Sequence, residues 1–332
     1  MVLASPSGFL RGHKGAVNCL ASAPSSEDPI LVSGSNDSTC RIWDLRSRRV
    51  TQCIAHAFAG EPVNSVAFGV SSTELYVASV NQVYQFDLRQ SASALIVTEA
   101  STIFEPAADE INCLHVHPTA TKKPWLAVPD DEGEIGLLNM KTHAVHTLRG
   151  QHTNICTSAV FRPRCAGYDL VSGGLDCQLV FWEVKSDGSG GRMRFKMNMQ
   201  SLEAGLGDAT QMWNPPFVYK LAFSANGRSL AAALGDGSIA LVDFASRSLV
   251  RKLRGHHAIV SDVQFFTHHD TEYVIAAGND AKLSIWSLET ALDEAPSWIV
   301  PHANGKPNAV AVVGDAAYVG DMTPVISVYA LN

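Results

Sequence analysis

The stretch Leu31–Arg46 reads LVSGSNDSTCRIWDLR, and it decides the fold because the chain repeats it. Leu170–Glu183 reads LVSGGLDCQLVFWE, and Ile275–Ser287 reads IAAGNDAKLSIWS. A histidine precedes the tryptophan of each copy by the same 30 residues: 43 minus 13, 182 minus 152 and 286 minus 256. A fixed spacing of this kind indicates one structural unit that the chain uses several times.

Weaker copies fill the gaps between these three units. The positions equivalent to the tryptophan are Phe86, Leu138, Val242 and Tyr329. The series 43, 86, 138, 182, 242, 286 and 329 advances by 43, 52, 44, 60, 44 and 43 residues. We assign the two long steps to extra residues at 91–101 and at 185–212, because insertions are tolerated between strands. The sequence therefore predicts seven repeats.

Each repeat alternates apolar and polar residues over short runs, as in Val63–Phe68 and Thr39–Trp43, which predicts β-strands. With its regularly spaced His, Asp and Trp residues, the chain resembles the WD-repeat β-propeller family over essentially its whole length. The resemblance implies an all-β fold with seven four-stranded blades, a seven-bladed WD-repeat β-propeller. We expect a single domain over residues 1–332, with an insertion at 185–212 between blades four and five.

The two ends of the chain predict how the ring of blades closes. The last repeat stops at Asn332, just after its third strand, and Ser7–Arg11 precedes the first histidine where a fourth strand belongs. A blade without its outer strand would expose an unpaired edge. We therefore expect the N-terminal strand to complete blade seven.

Composition limits the classes of function. The net charge of −7 argues against nucleic acid or an anionic membrane as a direct partner, because both favour basic surfaces. The seven cysteines form no C-x-x-C pair, which is typical of a reduced compartment. The sequence has no secretory signal and no apolar run of about 18 residues. We expect a monomer in the cytoplasm, the nucleus or both.

The recurrent polar side chains of the repeat are interpreted as structural. In WD-repeat proteins, His, Ser, Asp and Trp at these positions form a hydrogen-bonded chain inside one blade, and a buried imidazole needs such partners. The resemblance assigns this structural role to His13, Ser33, His152, Ser172, Asp176, Trp182, His256, Asp280 and Trp286. The sixth repeat has Ala276 where the first and fourth have serine.

Catalytic and metal-binding signatures are weak. His115 and His117 share one face of a predicted strand, and His268 adjoins His269, but no third ligand follows at a motif-like spacing. The chain has no G-x-S-x-G, Walker or H-E-x-x-H motif. We expect no enzyme activity, no metal and no cofactor.

The opening stretch carries a second resemblance. Leu31–Arg46 is similar to the sixteen-residue box with which WD-repeat receptors bind the adaptor of cullin-four ubiquitin ligases, the large subunit of damaged-DNA-binding protein. The next repeat ends Phe86-Asp87-Leu88-Arg89 and has Phe in place of Trp. The resemblance assigns adaptor binding to Asp37, Trp43, Asp44, Arg46, Asp87 and Arg89.

Two interpretations of this box stay open at the sequence level. The chain is a non-catalytic substrate receptor of such a ligase, in which two successive blades present arginines that pair with a partner. Alternatively, Asp44 stabilises a turn, Arg46 is solvated, and the protein is a general WD-repeat scaffold in another multiprotein complex.

One further register recurs. Asparagine follows the first apolar residue of the opening strand in four repeats, at Asn18, Asn64, Asn112 and Asn308. In WD-repeat propellers this position opens onto the narrow face beside the central channel, so an arc of amides could bind a substrate protein or an extended peptide. Trp213, Phe217 and Tyr219 supply aromatic anchors for the same candidate partner face. Alternatively, each asparagine bonds its own backbone in a turn.

Overall fold

Seven antiparallel sheets form the molecule, and the computed structural model describes them through residues 5–24, 29–89, 95–118, 124–165, 167, 169–185, 190–201, 214–289 and 296–331. The sheets form a seven-bladed β-propeller, which confirms the predicted fold class. No helix occurs in these described ranges, and hence none that could cross a membrane.

In each blade the strands lie side by side from the channel outward. Blade one contains β2 (Val17–Ser22), β3 (Ile30–Ser35), β4 (Cys40–Asp44) and β5 (Arg49–Ile54), with β9 (Ile96–Val97) added outside. Blade two contains β6 (Ser65–Phe68), β7 (Glu74–Ser79), β8 (Gln82–Asp87) and β10 (Thr102–Phe104). Blade three contains β11 (His115–Val116), β12 (Trp125–Pro129), β13 (Ile135–Asn139) and β14 (Val145–Leu148).

The remaining blades follow the same order. Blade four contains β15 (Cys156–Phe161), β16 (Asp169–Gly174), β17 (Gln178–Val184) and β18 (Gly191–Asn198). Blade five contains β19 (Val218–Phe223), β20 (Ser229–Leu234), β21 (Ser238–Asp243) and β22 (Ser248–Arg254). Blade six contains β23 (Val260–His268), β24 (Thr271–Gly278), β25 (Lys282–Ser287) and β26 (Trp298–Pro301). Blade seven contains β27 (Pro307–Val313), β28 (Ala316–Asp321), β29 (Val325–Ala330) and β1 (Gly8–Arg11).

The N-terminal strand closes the ring. β1 pairs antiparallel with β29, with Gly8 opposite Val328 and Arg11 opposite Val325. The side chain of Leu10 is buried between blades seven and one, beside Trp43. The predicted closure is therefore confirmed, and both ends of the described chain lie in one sheet.

The core lies between the blades. Buried apolar side chains of the described residues gather in seven clusters, and each cluster joins two neighbouring blades. Alternate residues of a strand point to opposite faces, so one blade contributes to two clusters. Burial on both faces explains why the repeats are rich in Val, Leu, Ala and aromatic residues.

Each of the two predicted insertions contains a regular strand, so the inserted residues span shorter ranges than predicted. The range 185–212 contains β18, the regular outer strand of blade four, whose register with β17 runs from Val184↔Gly191 to Gln178↔Asn198. The alternation in Arg192–Asn198, with exposed cations between Met and Phe, is the pattern of an edge strand. The range 91–101 contains β9, which pairs parallel with β5. Residues 202–213 and 90–94 lie outside the described residues.

Candidate functional site

A hydrogen-bonded chain crosses blade one. Trp43 Nε1 donates to Ser33 Oγ at 2.8 Å, and the Ser33 hydroxyl donates to His13 Nε2 at 2.7 Å. His13 Nδ1–H in turn donates to Asp37 Oδ2 at 3.0 Å. The same chain runs through blade four, where its members are Trp182, Ser172, His152 and Asp176. Every member has a partner, so these side chains hold β3 and β16 to the preceding loops.

The acidic end of this chain stays ionised. Burial by itself raises the pKa of Asp37, but hydrogen bonds from His13, Thr39 and the Lys14 backbone N–H outweigh it and hold that pKa well below its usual range. The pKa values of Asp176 and Asp280 are lowered in the same way. These carboxylates are engaged acceptors, and this geometry suits a structural role.

Blade six departs from the pattern. His256 Nδ1–H donates to Asp280 Oδ1 at 2.8 Å, while Nε2 accepts a bond from Ser284 at 2.5 Å. Ser284 lies opposite Ala276 in the β24–β25 register, so a neighbouring strand supplies the missing hydroxyl. Trp286 Nε1 is buried without a hydrogen-bond partner among the described residues. An unpaired buried N–H costs about 1–3 kcal/mol.

Blade seven has a related chain that the sequence pattern did not reveal. His302 bonds to Tyr329 Oη at 2.8 Å and to Asp321 Oδ2 at 2.7 Å, and all three side chains are buried. The histidine precedes Tyr329 by 27 residues, 329 minus 302, and the tryptophan is replaced. Both departures hide the unit from a search at the spacing of 30 residues.

The two predicted adaptor motifs form matching turns after β4 and β8. Asp44 Oδ1 accepts the Arg46 backbone N–H at 3.0 Å, and Asp87 Oδ1 accepts the Arg89 backbone N–H at 3.0 Å. The side chains of both arginines are exposed. β4 and β8 are equivalent strands of adjacent blades, so the two turns lie at the same end of the propeller.

The Arg89 guanidinium is held in place by its own motif. Its Nε and Nη2 donate to the two Asp87 oxygens at 2.9 and 2.8 Å, although 73% of the side chain remains exposed. These hydrogen bonds lower the pKa of Asp87 to about 2. Hydrogen bonds from Ser47 and from the Arg46 N–H lower the pKa of Asp44. Both carboxylates are therefore charged at neutral pH.

Two members of the predicted adaptor set do not lie on this surface. Trp43 is 1% exposed, and its ring is in the interface between blades seven and one. Asp37 lies in the turn that precedes β4, whereas Arg46 lies in the turn that follows it. Both residues belong to the internal chain of blade one. Of the six predicted residues, Asp44, Arg46, Asp87 and Arg89 lie together in the two turns after β4 and β8.

The four recurrent asparagines join neighbouring blades. Each donates its Nδ2–H to a backbone carbonyl at the start of the next blade, over 3.1 to 3.3 Å. The donor and acceptor pairs are Asn18 to Val63, Asn64 to Ile111, Asn112 to Cys156 and Asn308 to Val17. Thr157 and Ser261 make the same link with their hydroxyls, to Val218 and Pro307. The asparagines are thus neither free amides nor local turn formers.

The seven residues at this register form a ring that we call the channel mouth. Its members are Asn18, Asn64, Asn112, Thr157, Tyr219, Ser261 and Asn308. Tyr219 makes no such link to blade six among the described residues. A cavity of about 500 Å³ lies along the central channel and is lined by these seven residues and by the inner strands below them.

The three aromatic residues of the predicted partner face do not stay together. Tyr219 is half-buried at the channel mouth. Phe217 is half-buried and packs against the cluster between blades four and five, so much of its ring is not free for a partner. Trp213 lies outside the described residues.

The four histidines considered as metal ligands contact neighbouring residues of the fold. His115 Nδ1 accepts the Phe161 backbone N–H at 3.2 Å, and burial lowers the pKa of His115 to about 3. His268 lies near Asp315, and its ring contacts His269. In the described part of the chain, no three His, Cys, Asp or Glu side chains are close enough to hold a metal ion.

Comparison with known proteins agrees with this architecture. The model of the WD domain, G-beta repeat, matches residues 4–44 and 247–287. WD repeat-containing protein 53 homolog of Dictyostelium discoideum is 32% identical over 292 residues, which are 84% of this chain and 77% of that protein. The chain belongs to the WD-repeat family. Such WD-repeat proteins generally act as scaffolds for protein interactions.

Other WD-repeat relatives are more distant or shorter in extent. Human Gem-associated protein 5 is 20% identical over 80% of this chain and 18% of its own length. Ribosome biogenesis protein YTM1 of Ajellomyces capsulatus is 49% identical over 17% of this chain and 11% of its own length. The segments Glu110–Leu114 and Ile326–Asn332 resemble WD repeat-containing protein 53, and the similarity to its Dictyostelium homolog over most of the chain agrees with this resemblance.

Proposed function

We propose that this WD-repeat protein is a non-catalytic substrate receptor of a cullin-four ubiquitin ligase, in the cytoplasm or the nucleus. It binds the ligase adaptor, the large subunit of damaged-DNA-binding protein, through Asp44, Arg46, Asp87 and Arg89. It binds a substrate protein at the channel mouth, which is at the other end of the blades.

The observation that carries the proposal is the pair of matching turns after β4 and β8. Each presents an exposed arginine two residues after an aspartate at the end of a third strand. Asp87 orients the Arg89 guanidinium, whose remaining N–H groups can donate to a carboxylate or to backbone carbonyls of the adaptor. A pre-oriented arginine loses little conformational freedom on binding.

A pull-down with purified adaptor tests this assignment. The double variant Arg46→Ala/Arg89→Ala removes two charge-assisted contacts, each worth about 1–3 kcal/mol. We expect adaptor binding to weaken at least about tenfold. Because both side chains are exposed, the thermal midpoint of the variant should stay within a degree or two of the wild type.

Blade five offers a matched control. Arg228 is also exposed, and its Nε donates at 3.1 Å to Asp243, which ends the third strand of its blade as Asp44 and Asp87 do. Arg228→Ala should leave adaptor binding unchanged. If the double variant binds as well as the wild type, the ligase assignment fails, and the general scaffold role shared by WD-repeat proteins remains.

A further inference from the structure

The central channel contains a lysine whose surroundings do not satisfy it. Lys220 is the one lysine or arginine among the described residues that line the cavity of about 500 Å³. Its Nζ reaches across to blade three and donates to Cys113 Sγ at 3.6 Å. A thiol is a weak acceptor, and an ammonium group carries three N–H donors. Most of the hydrogen-bonding capacity of Lys220 is therefore unused.

Asp262 attracts the Lys220 ammonium through its charge but forms no hydrogen bond with Nζ. Asp262 lines the same cavity, but its two oxygens accept the backbone N–H groups of Val263 and Val310 at 2.9 and 2.8 Å. No carboxylate of the described residues lies within ion-pair distance of Lys220. Lys252 shows the usual solution, because its Nζ lies 2.7 Å from Asp236.

The cavity has a second candidate donor at the channel mouth. Tyr219 lines the same cavity, and its hydroxyl has no hydrogen-bond partner among the described residues. Burial raises the pKa of Tyr219, so the hydroxyl keeps its proton at neutral pH. Each asparagine at the channel mouth already donates one amide N–H to a neighbouring blade. The amides of Asn18, Asn64 and Asn112 also donate to Asn36, Glu110 and Asp131. Lys220 and Tyr219 are donors in the channel that these links between blades do not use.

We propose that Lys220 and Tyr219 bind a carboxylate of a peptide that enters the channel from its mouth. This inference rests on the proposed role of the channel mouth in substrate binding, and it specifies the chemistry of the substrate. One ammonium and one neutral hydroxyl match a singly charged carboxylate. A phosphate dianion would lack the several donors that such groups need. The volume lies within the usual range of ligand pockets.

The carboxylate can come from an acidic side chain or from a chain end, and three probe peptides separate these sources. The first is Gly-Ser-Glu-Ser-Gly with both ends capped, the second replaces Glu by Gln, and the third is the Gln peptide with a free carboxyl terminus. The full-length protein carries ¹³C at the lysine Cε atoms, and the Lys220 resonance is assigned by its loss in Lys220→Met.

We expect the Lys220 resonance to shift saturably with the Glu peptide, with the free-terminus peptide, or with both, and not with the capped Gln peptide. The responding peptide identifies the source of the carboxylate. If neither carboxylate peptide shifts the resonance at millimolar concentration, or if the capped Gln peptide shifts it equally, the proposal is wrong.

Variants show whether the ammonium itself binds. Lys220→Met should weaken binding of the responding peptide about tenfold or more, from loss of a charge-assisted hydrogen bond. Lys220→Arg keeps the charge and should retain binding, which separates lost chemistry from misfolding. Lys196→Met is the control, because Lys196 is exposed on β18 and donates to the Gln151 carbonyl. Undiminished binding by a folded Lys220→Met protein would overturn the proposal. The proposed adaptor surface lies outside the channel. If the peptide experiment fails, the ligase assignment is therefore unaffected and is tested separately by the pull-down.

Discussion

At the scale of single residues, one hydroxyl decides whether the internal chain of a blade is complete. Ser33 and Ser172 each accept a bond from a tryptophan and donate one to a histidine. In blade six Ser284 serves the histidine from the adjacent strand, and Trp286 Nε1 remains unpaired among the described residues. Blade six therefore has a hydroxyl that bonds its histidine but no hydroxyl that bonds its tryptophan.

Restoring the hydroxyl should repair this chain. Ala276 occupies the register of Ser33, because each lies two residues beyond the partner of the blade's tryptophan. Ala276→Ser should raise the free energy of unfolding by up to about 1 kcal/mol, through a new bond to Trp286 Nε1. Ala232→Ser is the control at the same register of blade five, which has no tryptophan to bond, and it should destabilise. Urea denaturation measures both, and equal losses in the two variants would contradict the repair.

At the scale of the strand, glycines in the second strands of blades one and four set the spacing to the next blade. A Cβ at Gly34 would lie 2.3 Å from Val63 Cγ1, and one at Gly173 would lie 2.3 Å from Val218 Cγ1. Val63 precedes β6, the innermost strand of blade two, and Val218 begins β19, the innermost strand of blade five. The glycines therefore let strands of adjacent blades approach closely.

The variant Gly173→Ala should force blades four and five apart. We expect a loss of about 1–3 kcal/mol in the free energy of unfolding, because the added methyl overpacks a buried contact. Gly8→Ala is a suitable comparison, since its methyl would meet the end of the flexible Arg48 side chain, which can move away. Chemical denaturation of both proteins is the measurement. Similar stabilities for the two variants would show that the blade interface adjusts freely.

At the scale of the whole molecule, stability depends on the ring being closed. The seven apolar clusters lie between blades, and the cluster between blades seven and one needs β1. A ring opened at one interface would expose apolar surface and an unpaired strand edge. The strand that seals it is four residues long.

Two substitutions in β1 test whether this strand closes the ring. One replaces its buried residue, and the other replaces the exposed residue next to it. Leu10 is 1% exposed and Phe9 is 41% exposed, so they face opposite sides of the same short strand. Leu10→Asp should cost about 3 kcal/mol or more and lower the thermal midpoint strongly, because it buries a charge in the closing interface. Phe9→Asp should cost less than about 1 kcal/mol. If the thermal midpoints of both variants stayed close to that of the wild type, the prediction that β1 closes the ring would be wrong.

Much of the fold could be predicted because its signals are local and repeated. The spacing of 30 residues between His13 and Trp43 recurs in three blades, and strand alternation follows from backbone geometry alone. The closing strand could be predicted as well, since a missing fourth strand at one end has to be supplied at the other. The turns that carry Arg46 and Arg89 stand in the sequence as the same short motif.

The tertiary structure decided what depends on residues far apart in the chain. Lys220 and Cys113 are 107 positions apart, and the curvature of the ring brings them into contact. Asn18 bonds Val63 because blade two follows blade one around the channel, and no local pattern contains that acceptor. The sequence resemblance assigns Trp43 to a partner surface, but packing between blades buries it. The sequence predicts Phe217 to be an aromatic anchor, but it packs half-buried against the cluster between blades four and five. Burial and partner identity are properties of the assembled ring, whereas the repeat that builds the ring is a property of the sequence.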